Sequence, residues 1–396
     1  MILHIKKILK KYLTVLFTFR RAKLIWQKPK QANVLIFDRG SDADVLFEYI
    51  DKSKSEVLCI RGEEINIPIL LLSTFNIGRY IDAYIKHVKP NFIVTFTDNS
   101  KFFYKLKSKY PNIIFIFLQN GLRTKLGDIF EELEKTDGDY EVDYMLTFND
   151  AVGSEYCKYI KGESISIGSA RNNLFSYEDV QNKKKDILYI SAFKPYSNNE
   201  EEHWVMVEGK SIKWSTIFSA ERLVVQNLSR YCSINKIKLT ILGRTGGTES
   251  CEYKFYKSII RECNWNFIPN TGKSSSYDLM NQAEYIVGVD STLLFEAFGR
   301  GKKVAFFTCR GDIIGANTSQ FGWPMKLGNK GPFWSNYINK NEFDRVLDYI
   351  MNVHPDGWEK IHFQYSLNVM NYDPGNKKII SLFKRINLPM NKKYVK

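Results

Sequence analysis

Neither end of this 396-residue chain carries an acidic residue. Residues 1–31 hold Lys6, Lys7, Lys10, Lys11, Arg20, Arg21, Lys23, Lys28 and Lys30. The stretch after Asp373 holds Lys377, Lys378, Lys384, Arg385, Lys392, Lys393 and Lys396. Together these exceed the whole formal excess of +14, so the body between them is close to neutral. A basic balance attracts polyanions, but charge confined to the ends, without a stacking motif, argues against a nucleic-acid groove. Paired cysteines are missing too. Cys59, Cys157, Cys232, Cys251, Cys263 and Cys309 are scattered with no C-x-x-C, which speaks against a disulfide framework or a zinc knuckle. The five histidines, His4, His87, His203, His354 and His362, show no paired ligand spacing. Nor is there a repeat of solenoid period.

Long apolar runs are also absent. Tyr12–Phe19 is an apolar run of eight bracketed by basic residues, whereas a membrane-spanning helix needs about 20. Arg20-Arg21 stands where a signal peptide would place small residues. Ile2, Leu3, Ile5, Ile8, Leu9, Tyr12, Leu13, Leu16 and Phe17 recur at helical spacing among the lysines. This pattern suits a basic amphipathic helix on an anionic membrane. The alternative is a helix packed on its own protein with a solvated basic face.

What is present is a long alternation of short apolar runs and amphipathic segments. Strands are expected at Ala32–Phe37, Glu56–Ile60, Asn91–Phe96, Asn112–Leu118, Tyr144–Phe148 and Ser164–Ile167, and helices over Pro68–Lys86 and Lys101–Tyr110. The polar, lysine-rich Tyr177–Asp186 reads as a linker. The pattern then restarts, with strands at Ile187–Ile190, Lys238–Leu242, Tyr285–Val289 and Lys303–Phe307 and helices over Ala220–Tyr231, Tyr253–Cys263 and Phe343–Val353. Strands of this kind imply two α/β units with parallel sheets covered on both faces. The expected division is a basic arm over 1–31, a first domain over 32–180, a second over 186–345, and a C-terminal helix and basic tail over 346–396 that packs back across both domains. Ligands of such sheets bind beyond the carboxyl ends of strands, in this case in the cleft between domains.

Polar residues cluster at those ends. In the first domain, Asp98 and Asn99 follow one strand and Gln119, Asn120 and Gly121 another; Asp38 follows the first. A carboxylate there could act as base or nucleophile, with Asp98 the first candidate and Asp38 the second. The amides could orient sugar hydroxyls, or Asn-Gly could simply turn the chain. Ser169 and Asn173 lie near the crossover. In the second domain the run Tyr285–Phe307 ends a strand in Asp290, Ser291 and Thr292 and opens a helix with Glu296 one turn in. Hydroxyls and free amides at a helix start bind phosphate, and the carboxylate could reach a ribose diol; an ordinary N-cap and first-turn acid would look the same. Arg244, Arg310 and Lys194 follow second-domain strands and could neutralise a departing phosphate, with Ser191 and Gly243 beside them. Asp42-Ala43-Asp44 has D-x-D spacing but sits where a helix opens, so it reads as capping, and no metal site is expected.

The Ser-Thr helix start with a following Glu resembles the donor-nucleotide site of the two-Rossmann-domain, GT-B glycosyltransferases. It is similar to what bacterial sialyl- and Kdo-transferases set against the phosphate of a CMP-sugar. Val94–Arg123, Ile165–Asn173, Ile187–Lys194, Val289–Phe307, Phe321–Pro324 and Gly331–Trp334 resemble bacterial surface-carbohydrate or O-antigen biosynthesis proteins, over roughly residues 32–360. One departure stands out: the only His-Pro, His354-Pro355, comes late, so the role of the His-Pro motif of CMP-sugar transferases is not carried over. The resemblance implies a GT-B fold and metal-independent sugar transfer from a nucleotide sugar, without further cofactor. The acceptor would be a glycan, lipid-linked at the cytoplasmic face of the membrane. A CDP-polyol phosphotransferase of teichoic-acid type, a UDP- or GDP-sugar transferase and a non-catalytic nucleotide-binding scaffold remain the alternatives.

Overall fold

The computed structural model describes residues 22–39, 43–74, 76–125, 127–136, 138–175, 184–194, 204–207, 209–244, 247, 250–272, 275–315 and 320–395. Most of the expected basic arm, the centre of the linker, Asp42 and His203 lie outside them. Among the described residues no helix is long and apolar enough to cross a membrane.

Two parallel sheets organise the chain. The first consists of β1 (Val34–Phe37), β2 (Ser55–Leu58), β3 (Phe92–Thr95), β4 (Ile114–Leu118), β5 (Glu141–Thr147) and β6 (Lys161–Ser166), in the order β2-β1-β3-β4-β5-β6. All its pairings are parallel. Its strands are apolar on both faces because both are covered. Side chains alternate along a strand, so Leu35 and Phe37 enter one core with Tyr84, Phe103 and Tyr156, while Val34 and Ile36 enter another with Leu46, Leu382 and Phe383.

The second sheet contains β7 (Lys184–Ile190), β8 (Leu239–Leu242), β9 (Trp265–Ile268), β10 (Ala283–Gly288), β11 (Lys303–Phe306) and the short β12 (Lys330–Gly331) and β13 (Trp334–Ser335). The order is β9-β8-β7-β10-β11-β13-β12. Only β12 runs antiparallel to its neighbour. The strand order reverses between β7 and β10, and in the first sheet between β1 and β3, and these reversals are where doubly wound sheets open a ligand crevice. The fold is therefore α/β with two Rossmann-like sheets facing across a cleft.

Three local features depart from the sequence expectations. The helix expected over Pro68–Lys86 is two helices, Ile67–Leu72 and Ile77–Val88. Thr74 between them is left-handed at φ 52°, and Asn76 caps the second by accepting from the Arg79 amide. The helix expected from Ala220 starts at Trp214 and runs to Asn235. A hairpin of Trp204–Val207 with Lys210–Lys213 precedes it.

The C-terminal segment ties the halves together. Helix Pro355–Val369 lies on the second domain, with Trp358 and Val369 in its core. The chain then crosses: the Asn371 amide donates to Phe148 O at 3.1 Å. Gly168 is left-handed at φ 75°, and a Cβ there would fall 2.1 Å from Asn371 O, so only glycine lets the two segments of the crossover approach. Asn376 Nδ2 donates to Tyr49 Oη and Ala170 O at 2.7 and 2.8 Å. Helix Lys377–Arg385 finally buries Ile379, Leu382 and Phe383 on the first sheet. Burial of each such side chain contributes about 1.5–3 kcal/mol, which fastens the crossover to the first domain.

Candidate functional site

A cleft of about 670 Å³ opens between the carboxyl ends of the two sheets, within the size range of small-molecule sites. A second opening of about 580 Å³ adjoins it through Gln119, Arg171, Arg244 and Thr292, which line both. Trp323 of the second domain packs on Phe130 of the first at a ring distance of 4.9 Å and closes part of the edge. The Trp323–Pro324 peptide is cis.

The second domain supplies most of the positive charge. Helix Thr292–Gly299 points its start into the cleft, and Ser291, its N-cap residue, makes no side-chain capping bond. Beside it, Arg310 donates from Nε and Nη2 to the two oxygens of Asp290 at 2.6 and 3.0 Å, a bidentate pair. The guanidinium lies 4.3 Å from the Phe218 ring centre. Burial works to discharge Arg310, but the charge of Asp290 prevails and holds its pKa above the usual value. Lys194 lies over Trp214 and Phe218 at 5.3 and 5.0 Å. Burial, then Arg244 and Arg310, push its pKa down.

The turns after β7 and β8 are tied down from beneath by two buried glutamates. Glu252 accepts the Arg244 amide at 2.9 and 3.0 Å and the Ser191 hydroxyl at 2.5 Å. Glu221 accepts the Ala192 amide at 3.1 Å, and burial raises its pKa. The Tyr256 hydroxyl sits 2.6 Å from Ser191 Oγ and 2.5 Å from Glu221 Oε1. Gly243 donates its amide to Ile268 O at 2.9 Å, and a Cβ there would fall 2.4 Å from the Phe267 ring. Ser191 and Gly243 line the cleft, yet the donors of these turns are spent on carboxylates and backbone. Ser191 and Gly243, expected to touch a phosphate, thus stand in the cleft wall with these donors already paired. The Thr292 helix start and the side chains of Lys194, Arg244 and Arg310 line the same cleft.

Glu296 is buried one turn into that helix. It accepts from Ser169 Oγ at 2.5 Å and from Tyr277 Oη at 2.9 Å. Burial raises its pKa against the pull of these bonds and of Arg171 and Arg300. Expected to reach a ribose, it is here held by bonds of which the one from Ser169 joins the two domains. Arg300 adds to the same junction, donating to Asn172 Oδ1 at 2.6 Å, Asn172 O at 2.7 Å and Phe175 O at 2.8 Å.

The first domain corrects the expected base. Asp98 is fully buried and reaches neither opening. Its oxygens accept from Arg123 Nε at 2.8 Å, from Tyr156 Oη at 2.7 Å and from the Asn120 amide at 3.2 Å, with a further close contact to Arg123 Nη2. A carboxylate saturated in this way holds an arginine; it does not face a substrate hydroxyl. Asp38, left-handed at φ 68°, is likewise buried, paired with Arg61 at 2.6 Å and away from both openings. Asn99 is exposed outside them. Gln119 lines both, with Nε2 donating to Gly121 O and Oε1 accepting from the Phe148 amide, each at 2.8 Å. Asn120 lines the smaller opening and holds Arg123 Nη2 at 2.8 Å. Asn173 is a crossover clamp, donating to Ile167 O and Asn376 Oδ1 at 2.8 and 2.9 Å.

Sequence reasoning passed over Arg123, Arg171 and Asp128, all of which line the main cleft. Arg123 and Arg171 stand within the runs singled out for resemblance. Their signal was a lone cation a few residues past a strand, which also describes many surface arginines. Among the described residues no group of three or more His, Cys, Asp or Glu side chains could hold a metal ion.

The family description "putative O-antigen biosynthesis protein" matches residues 116–387. The chain belongs to this family. No curated protein matches it by sequence. Among solved structures, MnaA of S. aureus in complex with UDP superposes with a TM-score of 0.51 at 11% identity, covering 91% of this chain and 97% of that one. UDP-GlcNAc 2-epimerase from Neisseria meningitidis bound to UDP-GlcNAc gives 0.51 at 13% identity, over 92% of this chain and all of the other. At these identities the likeness is one of fold: the GT-B arrangement of two sheets about a cleft.

Proposed function

We propose that this O-antigen biosynthesis family member is a glycosyltransferase that moves a sugar from a nucleotide donor to a glycan acceptor. The observation that carries this reading is the convergence, at one end of the cleft, of the Thr292 helix start with Arg310, Arg244 and Lys194. Partial charge at a helix start and cationic side chains stabilise the negative charge that builds on a leaving phosphate. Arg123, Arg171, Gln119 and Asn149 line the same cleft from the first-domain side and the crossover, where an acceptor would sit. That UDP and UDP-GlcNAc are bound in two proteins of this fold supports a nucleotide sugar as the ligand class.

As donor we propose a CMP-linked nonulosonic acid, on the resemblance of Ser291, Thr292 and Glu296 to CMP-sugar sites. The chemistry uses side-chain cations, so activity survives chelation. The acceptor is a lipid-linked glycan at the cytoplasmic membrane face, a reading supported by the basic, apolar pattern of residues 1–21.

A thermal-shift series with CMP, CDP, UDP and GDP, with and without magnesium, tests the reading. A ligand at about 100 times its Kd adds about 2.7 kcal/mol of stability. Stabilisation by CMP without magnesium supports the donor named here. A preference for UDP or GDP keeps the transferase and discards that donor, and a preference for CDP directs product analysis to polyol-phosphate transfer. Conversion of a UDP-sugar without any acceptor would replace transfer by epimerisation. No shift with any nucleotide would turn the reading to a non-catalytic module.

A further inference from the structure

Two aspartates are the carboxylates among the described lining residues of the main cleft: Asp290 and Asp128. Asp290 has both oxygens committed to Arg310. Asp128 stands on the opposite wall, in the first domain, with its side chain 15% exposed. It opens helix Ile129–Glu134, accepting the Ile129 amide on Oδ1 at 2.7 Å and the Thr124 amide on Oδ2 at 3.1 Å. Arg123 Nη1 approaches Oδ1 at 3.5 Å, and Arg123 is itself fixed by Asp98 and Asn120. Each carboxylate oxygen can accept two hydrogen bonds, so Oδ2 retains acceptor capacity while the carboxylate is held from two sides. Asp98 is thereby a positioning residue: it anchors Arg123, which in turn flanks Asp128.

We propose that Asp128 is the general base of the transfer. This assignment rests on the glycosyltransferase reading and makes the reaction a single inverting displacement. The acceptor oxygen bonds to the anomeric carbon as the bond from that carbon to the phosphate oxygen breaks. The electron pair leaves with the nucleotide phosphate toward the Thr292 helix start and Arg310. The acceptor proton passes to Asp128 Oδ2. Burial raises the pKa of Asp128, opposed by Arg123 and by the Ile129 and Thr124 amides and assisted by Asp98; Arg171 and Arg244 face it from the other lining elements. A base should titrate toward the working pH, and the acidic limb of the rate is shifted correspondingly upward from that of an ordinary aspartate.

The test uses the full chain and the donor identified by the nucleotide series. Asp and Asn serve almost equally as helix N-caps, so Asp128→Asn keeps the helix start while removing the basicity. The expected result is a fall in kcat of about 10²–10⁴-fold, with loss of the acidic limb. Donor KM stays within about threefold, because Asp128 acts on the acceptor proton and leaves donor binding alone. Asn replaces one carboxylate oxygen with a donor and leaves the Thr124 amide without its acceptor, so the thermal midpoint falls slightly while nucleotide-induced stabilisation stays as in the wild type, and Asp128→Glu recovers part of the rate. An Asn variant within about tenfold of wild-type kcat, below the usual worth of a general base, overturns the assignment. So does a loss of rate that leaves the acidic limb in place or comes with lost nucleotide stabilisation, which is the signature of a capping role. A wild type that transfers no sugar from any donor is a different result: the transferase reading itself fails, and the base assignment falls with it.

Discussion

Ser169 and Glu296 meet across the domain boundary, the serine hydroxyl donating a 2.5 Å hydrogen bond to the buried carboxylate. Ser169 belongs to the first-domain side of the crossover and Glu296 to the helix whose start enters the cleft. The bond therefore ties the first-domain side of the crossover to the helix whose start lines the cleft.

Ser169→Ala should cost about 1–3 kcal/mol, since it leaves a buried carboxylate oxygen short of a donor. Urea unfolding measures this directly. The pH dependence has a definite sign. The folded pKa of Glu296 is raised, so between the ordinary glutamate range and that raised value the folded state holds the extra proton. Stability from this group is greatest at the acid side of that window and falls as pH rises through it. Glu296→Gln should flatten that slope. A steeper slope in the Gln variant would contradict the burial of an ionisable Glu296.

Arg310→Lys should weaken nucleotide binding by roughly tenfold or more, because an ammonium cannot reproduce the fork that grips Asp290 and lies flat on Phe218. Asp290→Asn should act in the same direction by loosening Arg310. Calorimetric titration with the stabilising nucleotide checks both. Unchanged affinity in both variants would remove this pair from the phosphate site.

Lys194 makes binding itself pH-dependent. Its pKa is depressed by burial and by Arg244 and Arg310, with Asp290 the opposing charge nearby. A bound phosphate adds negative charge and draws that pKa back up, so binding takes up a proton and affinity falls as pH rises through the free-protein pKa. Titrations at a series of pH values up to the ordinary lysine range, in two buffers of different ionisation enthalpy, should show an uptake that grows toward alkaline pH in the wild type and is reduced in Lys194→Met. Equal uptake in both would place the titrating group elsewhere.

Strand ends were legible in the sequence because a covered parallel strand is an apolar run bounded by polar residues. Val34–Phe37, Ile114–Leu118 and Lys303–Phe306 all lie inside the segments expected from that pattern. Side-chain direction was not legible. Asp98 follows a strand, as a base should, yet its partner Arg123 lies 25 residues away in the chain, and only folding reveals a saturated ion pair. Asp128 had the opposite problem: its sequence context is an ordinary helix cap, and its place on the cleft wall depends on the approach of the second domain. Glu221 and Glu252, which underpin the donor-side turns, carry no local signal at all, because helix carboxylates are usually solvated. The break at Thr74 was hidden by apolar periodicity that runs through it on both sides.

The basic N-terminal segment leads to the last prediction. Residues 1–21 contain six lysines and arginines and no acid, with apolar residues at helical spacing between them. Each such cation near an anionic bilayer contributes about 1 kcal/mol, and a buried apolar face adds to that. The attraction is screened over about 10 Å at 0.1 M salt and about 3 Å at 1 M. The full chain should therefore co-sediment with vesicles containing anionic lipid at low salt, bind less at high salt, and bind neutral vesicles weakly. Deleting residues 1–21 should remove the salt-dependent part while leaving nucleotide stabilisation unchanged, since every described lining residue of the cleft comes later in the chain. Binding that survives the deletion would assign the membrane contact to the folded body, or to the basic C-terminal stretch after Asp373.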